Sequence, residues 1–195
     1  MREGWWRDIV QVSSDDAILR PQSVDKTQSP RKVLALLFVS YCGVYFCRAN
    51  VSVVSATLIE NGELGITAGS FGMTISIGTF AYAVGKMVSG AVVGQDPVGR
   101  VRVCMVFTGL ATLGFAASGS QGVMRATWVL SRAAQSQIWT NFAVIINSTF
   151  PASSTGQAVA VLSQSFLVGD AIAKLVLGGV AGFTGWRGVC VAGAG

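Results

Sequence analysis

The sequence contains no histidine and little charge, and each shortage excludes a class of protein. The absence of histidine among 195 residues rules out histidine-ligated zinc, a Ser-His-Asp triad and a histidine proton shuttle. The four cysteines form no Cys-x-x-Cys pair and lie in apolar stretches, which is typical of small buried hydrophobic residues. They are Cys42, Cys47, Cys104 and Cys190. We therefore predict no metal site, no cofactor and no enzymatic activity.

Charged residues make up only 12% of the chain and hydrophobic residues 51%. Soluble domains carry about 25% charge, so this surface is too apolar for a water-soluble globule. Residues 1–32 hold six of the 14 Lys and Arg and five of the nine Asp and Glu. The net charge of +5 comes without a cluster of basic and aromatic residues, so we expect no nucleic-acid partner. The composition predicts a membrane protein, with the lipid bilayer as its partner and residues 1–32 as a polar tail.

Long apolar runs predict the membrane spans, because about 20 apolar residues in a helix cross the hydrocarbon core. We expect five complete spans and the start of a sixth, over residues 33–59, 67–93, 101–118, 123–148, 157–183 and 186–195. The predicted fold class is an all-α bundle of six transmembrane helices with the sixth truncated. Because that span stops after ten residues, we expect a fragment that lacks its second half.

The distribution of basic residues predicts the orientation. The tail and the second loop, which contains Arg100 and Arg102, together carry eight Lys and Arg, whereas the first and third loops carry none. Loops rich in Lys and Arg stay in the cytosol. We expect an integral, multi-pass protein with a cytosolic N-terminus, and the type of membrane stays open.

Several ionisable residues lie well inside the predicted spans, where each costs about 2.5–3.5 kcal/mol on insertion scales. They are Arg48, Lys86, Arg132, Asp170 and Lys174. Such residues normally face a wet cavity or a partner and mark a transport path. Four positive charges against one negative charge indicate that the mobile partner is an anion.

Polar residues follow one face of the first span at helical spacing. They are Tyr41, Tyr45, Arg48 and Ser52. Tyr82 and Lys86 repeat the arrangement of a tyrosine one turn before a cation on the second span. A guanidinium binds phosphate oxygens through two parallel hydrogen bonds, which suits Arg48 to an oxyanion. The alternatives are aromatic packing for the tyrosines and an internal counter-ion role for Arg48.

Asp170 and Lys174 are four residues apart, in the acid-first order that helices favour. They form either a self-neutralising pair that permits insertion into the bilayer, or a pair that opens and closes as a transporter changes state. The steps from Arg48 to Arg132 and from Lys86 to Lys174 are 84 and 88 residues. This spacing fits two three-helix repeats of inverted topology.

The stretch 41–50, Tyr-Cys-Gly-Val-Tyr-Phe-Cys-Arg-Ala-Asn, resembles the first helix of the organophosphate:phosphate antiporters of the major facilitator superfamily. The similarity extends through residues 82–90 and 185–187, and includes Gln135 and Trp139. It implies the N-terminal half of a rocker-switch exchanger for sugar phosphates or glycerol 3-phosphate.

The resemblance implies a role in substrate binding for particular residues, which are Arg48, Lys86, Tyr41, Tyr45 and Tyr82. In this family the first-helix arginine and second-helix lysine help bind phosphate, and a second arginine comes from the C-terminal half. The implied partners are an organic phosphate, inorganic phosphate and the missing half of the same transporter.

The chain also departs from the family pattern. Phe166 stands where bacterial members have a histidine, and Asp96 to Arg100 completes the loop motif two residues late. Arg132 and Gln135 match instead the Arg-x-x-Gln motif of proton-coupled members. We therefore expect a set of residues with coupling or gating roles, namely Arg132, Asp170, Lys174, Asp96 and Arg100. Two alternatives stay open, a proton-coupled transporter of another organic solute and a non-transporting receptor that retains the fold.

Overall fold

The computed structural model describes residues 29–62, 64–91 and 96–194, and almost all of them are helical. The helices are α1 (Pro30–Asn61), α2 (Ala68–Ala91), α3 (Pro97–Ala116), α4 (Gln121–Thr149) and α5 (Ala152–Ala194). The predicted all-α class is confirmed over this part of the chain. The predicted tail over residues 1–32 lies outside the described residues except for its last four positions.

Local sequence signals set several helix ends. Pro30 and Pro97 occupy first helical positions, where the missing N–H costs nothing. The Asp96 carboxylate accepts a hydrogen bond of 2.8 Å from the backbone N–H of Gly99 and so caps α3. At the other end of α1, Gly62 takes a left-handed conformation (φ 61°), which terminates the helix.

The predicted count of six helices is not confirmed, because one helical segment, α5, covers both the fifth and the sixth predicted spans. The segment is kinked at Gly185, whose φ of 67° and ψ of −177° are not helical. Glycine adopts this conformation without the steric penalty that a Cβ would bring. The predicted break between the two spans therefore appears as a kink at a single glycine, with arms over residues 152–184 and 186–194.

The two arms of α5 run in opposite directions. A methyl group added to Gly169 would lie 2.8 Å from the Cα of Cys42, and one added to Gly193 would lie 2.9 Å from the carbonyl oxygen of Phe46. Cys42 and Phe46 are one turn apart on α1. A straight helix would separate Gly169 from Gly193 by about 36 Å. The chain must therefore reverse at Gly185, so that both arms pack on the same stretch of α1.

Four of the described helices, α1, α2, α3 and α5, are long and apolar enough to cross a membrane. Their outer faces carry exposed apolar side chains, including Met87 at 78% and Phe183 at 91% exposure. α4 is less apolar and holds five of the 12 buried polar residues in the described part of the chain, more than any other helix. They are Ser131, Arg132, Gln135, Ser136 and Asn141. These features support an integral, multi-pass membrane protein.

The helices pack around two apolar clusters, and α4 is the central element. α1 packs mainly on α5, whereas α4 lies against both α2 and α3. One cluster includes Val54, Phe115 and Trp128, and the other includes Ile138 and Phe142. On α4 the position between the two clusters is occupied by Arg132.

Candidate functional site

The ring of Tyr82 on α2 is the centre of a group of three cations from three helices. The guanidinium carbon of Arg132 lies 4.6 Å from the ring centre, and that of Arg48 lies 5.7 Å away. The ammonium nitrogen of Lys86 lies 5.5 Å from the same centre. A tyrosine ring attracts cations through the negative potential of its face. We call Arg48, Tyr82, Lys86 and Arg132 the cation cluster.

Arg48 is half-buried on α1 and has a second aromatic neighbour, Tyr45, one turn before it. Its guanidinium carbon lies 5.4 Å from the centre of the Tyr45 ring, and Nη1 donates a hydrogen bond of 3.4 Å to the Tyr45 hydroxyl. Ser52 lies one turn further and is exposed. The polar stripe predicted on α1 is therefore buried at Tyr41, half-buried at Tyr45 and Arg48, and exposed at Ser52.

Arg132 is the most deeply placed of the three cations, with 4% exposure. Its Nη1 donates a hydrogen bond of 2.9 Å to Gln135 Oε1, and Gln135 Nε2 donates one of 3.1 Å to Ser131 Oγ. Its guanidinium also lies 5.6 Å from the ring of Trp128. The side chain is thus held in one orientation, towards Tyr82.

Two glycines of α2 allow α4 to come close enough for this contact. A methyl group added to Gly78 would collide with the indole of Trp128, and one added to Gly85 would collide with the hydroxyl of Ser136. The Gly85 carbonyl accepts a hydrogen bond of 2.8 Å from Gln137 Nε2. Tyr82 lies between the two glycines along α2, so their spacing fixes its position against Arg132.

The cation cluster has no carboxylate partner within the described parts of the chain. Over residues 29–62, 64–91 and 96–194, an ion pair joins Lys174 to Asp170, and no carboxylate oxygen lies within 4.0 Å of Arg48, Lys86 or Arg132. Three like charges therefore converge on one neutral ring. In a water-poor environment this arrangement creates a strong positive potential that an anion would relieve.

Tyr41 lies deeper than the other predicted binding residues. It is 8% exposed, and its ring packs against those of Tyr45, Trp139 and Phe142 at centroid distances of 5.4, 5.4 and 5.7 Å. In this position its ring supports the ring of Tyr45 through an edge-to-face contact. Tyr45 and Tyr82 are half-buried, and Lys86 is exposed.

The residues predicted for coupling or gating are dispersed. Asp170 and Lys174 form an ion pair of 2.6 Å on α5, with side-chain exposures of 36% and 51%. Asp96 is the cap of α3, and Arg100 is half-buried in the first turn of that helix. Arg132 alone of this group joins the cation cluster.

Sequence reasoning missed the supporting residues on α4. Trp128 precedes Arg132 by one turn, so the same i, i+4 rule that singled out Tyr82 and Lys86 applies to it. Gln137 was not singled out, because its contact with the Gly85 carbonyl spans 52 residues and leaves no local pattern. The ring contact between Tyr45 and Phe166, at 6.3 Å, was missed for the same reason.

The helices and the buried polar groups define an α-helical, multi-pass membrane protein. The model of the Major Facilitator Superfamily matches residues 37–195, and the chain belongs to this superfamily. Members of the superfamily are transporters rather than enzymes.

Curated relatives share low sequence identity with the chain. It is 27% identical over 158 residues to a protein of Chlamydia pneumoniae named "Probable hexose phosphate transport protein". Proteins of the same name from Chlamydia trachomatis serovar D and Chlamydia muridarum are each 25% identical over 158 residues. Each match covers 80% of this chain and 34% of the relative, so the chain spans about a third of the length of the curated relatives it matches.

Proposed function

We propose that the protein carries phosphorylated organic metabolites across a membrane by alternating access, in exchange for inorganic phosphate. The observation that carries the proposal is the convergence of Arg48, Lys86 and Arg132 on the ring of Tyr82. A phosphate group with about −1.5 to −2 charges at neutral pH complements this potential. Binding would replace the weak contacts of the cations with the ring by charge-assisted hydrogen bonds.

The three cations would have different roles in binding the phosphate. Arg48 and Lys86 are accessible, and they would contact the phosphate oxygens directly, Arg48 through its planar fork and Lys86 as a point charge. Arg132 is buried and tied to Gln135, so it would act through its charge and by holding Tyr82. The hydroxyls of Tyr45 and Tyr82 would add hydrogen bonds, and Tyr41 would support Tyr45.

We propose that the chain is the N-terminal half of the transporter. Residues 186–194 would begin a sixth helix, because they reverse direction after Gly185 and pack back on α1. Residues 1–32 would lie in the cytosol, because the Lys and Arg of the tail and second loop favour that orientation. A second bundle would face α1, α2 and α5, and the anion would bind between the two.

Hexose phosphates are the first substrates to test, because the relatives are named hexose phosphate transport proteins. The full-length protein would be reconstituted in liposomes loaded with inorganic phosphate, and uptake of labelled glucose 6-phosphate would be measured. We expect uptake that depends on internal phosphate.

Substitutions at Arg48 test the role of the cation cluster. Arg48→Ala should lower uptake at least tenfold, since a charge-assisted hydrogen bond contributes about 1.5–3 kcal/mol. Arg48→Lys should retain part of it. Arg31→Ala removes the same charge from an exposed position on the same helix and should leave uptake unchanged. Equal uptake by Arg48→Ala and the unsubstituted protein would refute the assigned role.

A second candidate is a proton-coupled carrier of another organic solute. The bond between Arg132 and Gln135 favours it, since these residues form the motif seen in proton-coupled members. Uptake driven by an imposed pH gradient and indifferent to internal phosphate would support this candidate against the exchanger.

A further inference from the structure

An aromatic cluster lies next to the cations and extends from the buried core to the exposed surface. It consists of Tyr41, Tyr45, Phe142 and Phe166. At its inner end Tyr41 and Phe142 are 8% and 0% exposed and belong to the apolar core. At its outer end Tyr45 is half-buried and Phe166 on α5 is 41% exposed, with the two rings 6.3 Å apart and tilted by 37°. The inner rings are explained by packing. Tyr45 packs on the core through Tyr41, whereas Phe166 leaves the outer end of the cluster exposed.

We propose that Tyr45 and Phe166 form a subsite for the carbon skeleton of the transported phosphate ester, with the hexose ring as the skeleton it fits. The proposal rests on the proposed function, since it needs the phosphate group to be held at Arg48 and Lys86. It assigns to Phe166 a role in choosing between substrates, separate from the binding of phosphate itself.

Tyr45 lies between Arg48 and Phe166, which supports separate places for the phosphate group and for the carbon skeleton. Its hydroxyl accepts a hydrogen bond from Arg48 Nη1, and its ring lies 6.3 Å from that of Phe166, with the two ring planes tilted by 37°. A phosphate bound at Arg48 therefore lies beside the aromatic pair, and the group esterified to it must pass close to the rings. Inorganic phosphate has no such group and would leave the pair uncovered.

The chemistry of the pair matches one face of a sugar ring. Aromatic rings present a large, rigid, apolar surface with negative potential on the face. The axial C–H bonds of a hexose form an apolar patch of slight positive potential, while its hydroxyls point sideways. Packing that patch on Tyr45 and Phe166 removes apolar surface from water on both partners. A short skeleton such as glycerol offers less of this surface.

The test compares two substrates in one preparation of the full-length protein in phosphate-loaded liposomes. Exchange of labelled inorganic phosphate for internal phosphate reports the cation cluster, and uptake of labelled glucose 6-phosphate reports both regions. Phe166→Ala should raise the KM for glucose 6-phosphate about tenfold and change the KM for phosphate less than twofold. Phe166→Leu keeps apolar surface but lacks the face of a ring, so it should recover only part of the lost affinity, and Phe166→Tyr should restore the original KM.

Phe183→Ala is the matched control, because Phe183 lies on the same helix at 91% exposure. It should change neither KM. An equal effect of Phe166→Ala on both substrates, or no effect on either, would overturn the subsite while leaving the exchanger intact. Absence of phosphate exchange by the unsubstituted protein would overturn the proposed function, and the subsite with it. Retained phosphate exchange in Phe166→Ala also shows that the variant is folded.

Discussion

The guanidinium of Arg132 lies over the ring of Tyr82 at 4.6 Å, although the two residues are 50 positions apart and on different helices. The contact brings a buried positive charge from α4 to a ring that Arg48 of α1 and Lys86 of α2 also approach, at 5.7 and 5.5 Å. Because the ring is neutral, it separates the three cations without cancelling their field. Tyr82 is thus the residue on which the arrangement of the candidate site depends.

Replacing the Tyr82 ring should remove the contact that Arg48, Lys86 and Arg132 share. Tyr82→Leu removes the π face and should lower phosphate-driven uptake about tenfold, because cation–π contacts contribute about 0.5–2 kcal/mol each. Tyr82→Phe keeps the face and loses only the hydroxyl with its hydrogen bond to the phosphate, so we expect a smaller loss of uptake than in Tyr82→Leu. Initial rates in proteoliposomes measure both. Equal losses in the two variants would assign the role of Tyr82 to its hydroxyl.

The close approach of α2 to α4 predicts a difference between two glycines of one helix. Gly78→Ala would press a methyl group into Trp128, and overpacking of this kind costs about 1–3 kcal/mol. Gly72→Ala has no atom within 4 Å of the new methyl group and should be neutral or slightly stabilising. Thermal unfolding in detergent should show a lower Tm for Gly78→Ala alone. Identical Tm values would contradict the observed packing.

The kink in α5 predicts a second pair of glycine substitutions. Gly185→Ala places a Cβ on a residue with φ 67° and ψ −177°, a region that costs other residues about 1–3 kcal/mol. The added methyl meets no neighbour, so the effect would come from the backbone alone. Gly182→Ala, three residues earlier in the helical arm, serves as the control. A Tm lowered only by Gly185→Ala is the expected result, and a Tm unchanged in both variants would argue against the reversal at this residue.

The ion pair on α5 predicts that two substitutions compensate. Asp170→Asn or Lys174→Gln alone leaves an unpaired charge within a span, at a cost of about 2.5–3.5 kcal/mol on insertion scales. The yield of membrane-inserted protein should therefore fall in each single variant and recover in the double variant. Quantifying inserted protein in isolated membranes tests this expectation. If transport is lost in the double variant while its yield recovers, the pair takes part in the transport cycle as well.

The cap of α3 predicts a contrast between two substitutions of Asp96. Asp96→Ala removes the acceptor for the Gly99 N–H and should destabilise the helix start by about 0.5–2 kcal/mol. Asp96→Asn keeps an acceptor oxygen and should retain stability. Thermal unfolding distinguishes the two variants. A transport defect in Asp96→Asn without loss of stability would point to the gating role that its loop suggests.

Local spacing in the sequence determined the contacts made within a single helix. The bond from Arg48 to Tyr45 and the pair Asp170–Lys174 follow from intervals of three and four residues, and the polarity of the chain determined its helical, membrane-spanning character. The break near Gly185 was also visible, but its form as a kink within one helical segment was not. These features can be predicted from the sequence because a helix brings residues one turn apart together, whatever surrounds it.

Only the tertiary structure decided which faces meet. It placed Arg132 on Tyr82, moved Tyr41 into the core and set Phe166 beside Tyr45. Each of these contacts joins different helices, and the approach of α2 to α4 depends on Gly78 and Gly85 meeting particular side chains of the other helix. The rotation and depth of one helix against another follow from the packing of whole surfaces, which no interval along the chain encodes.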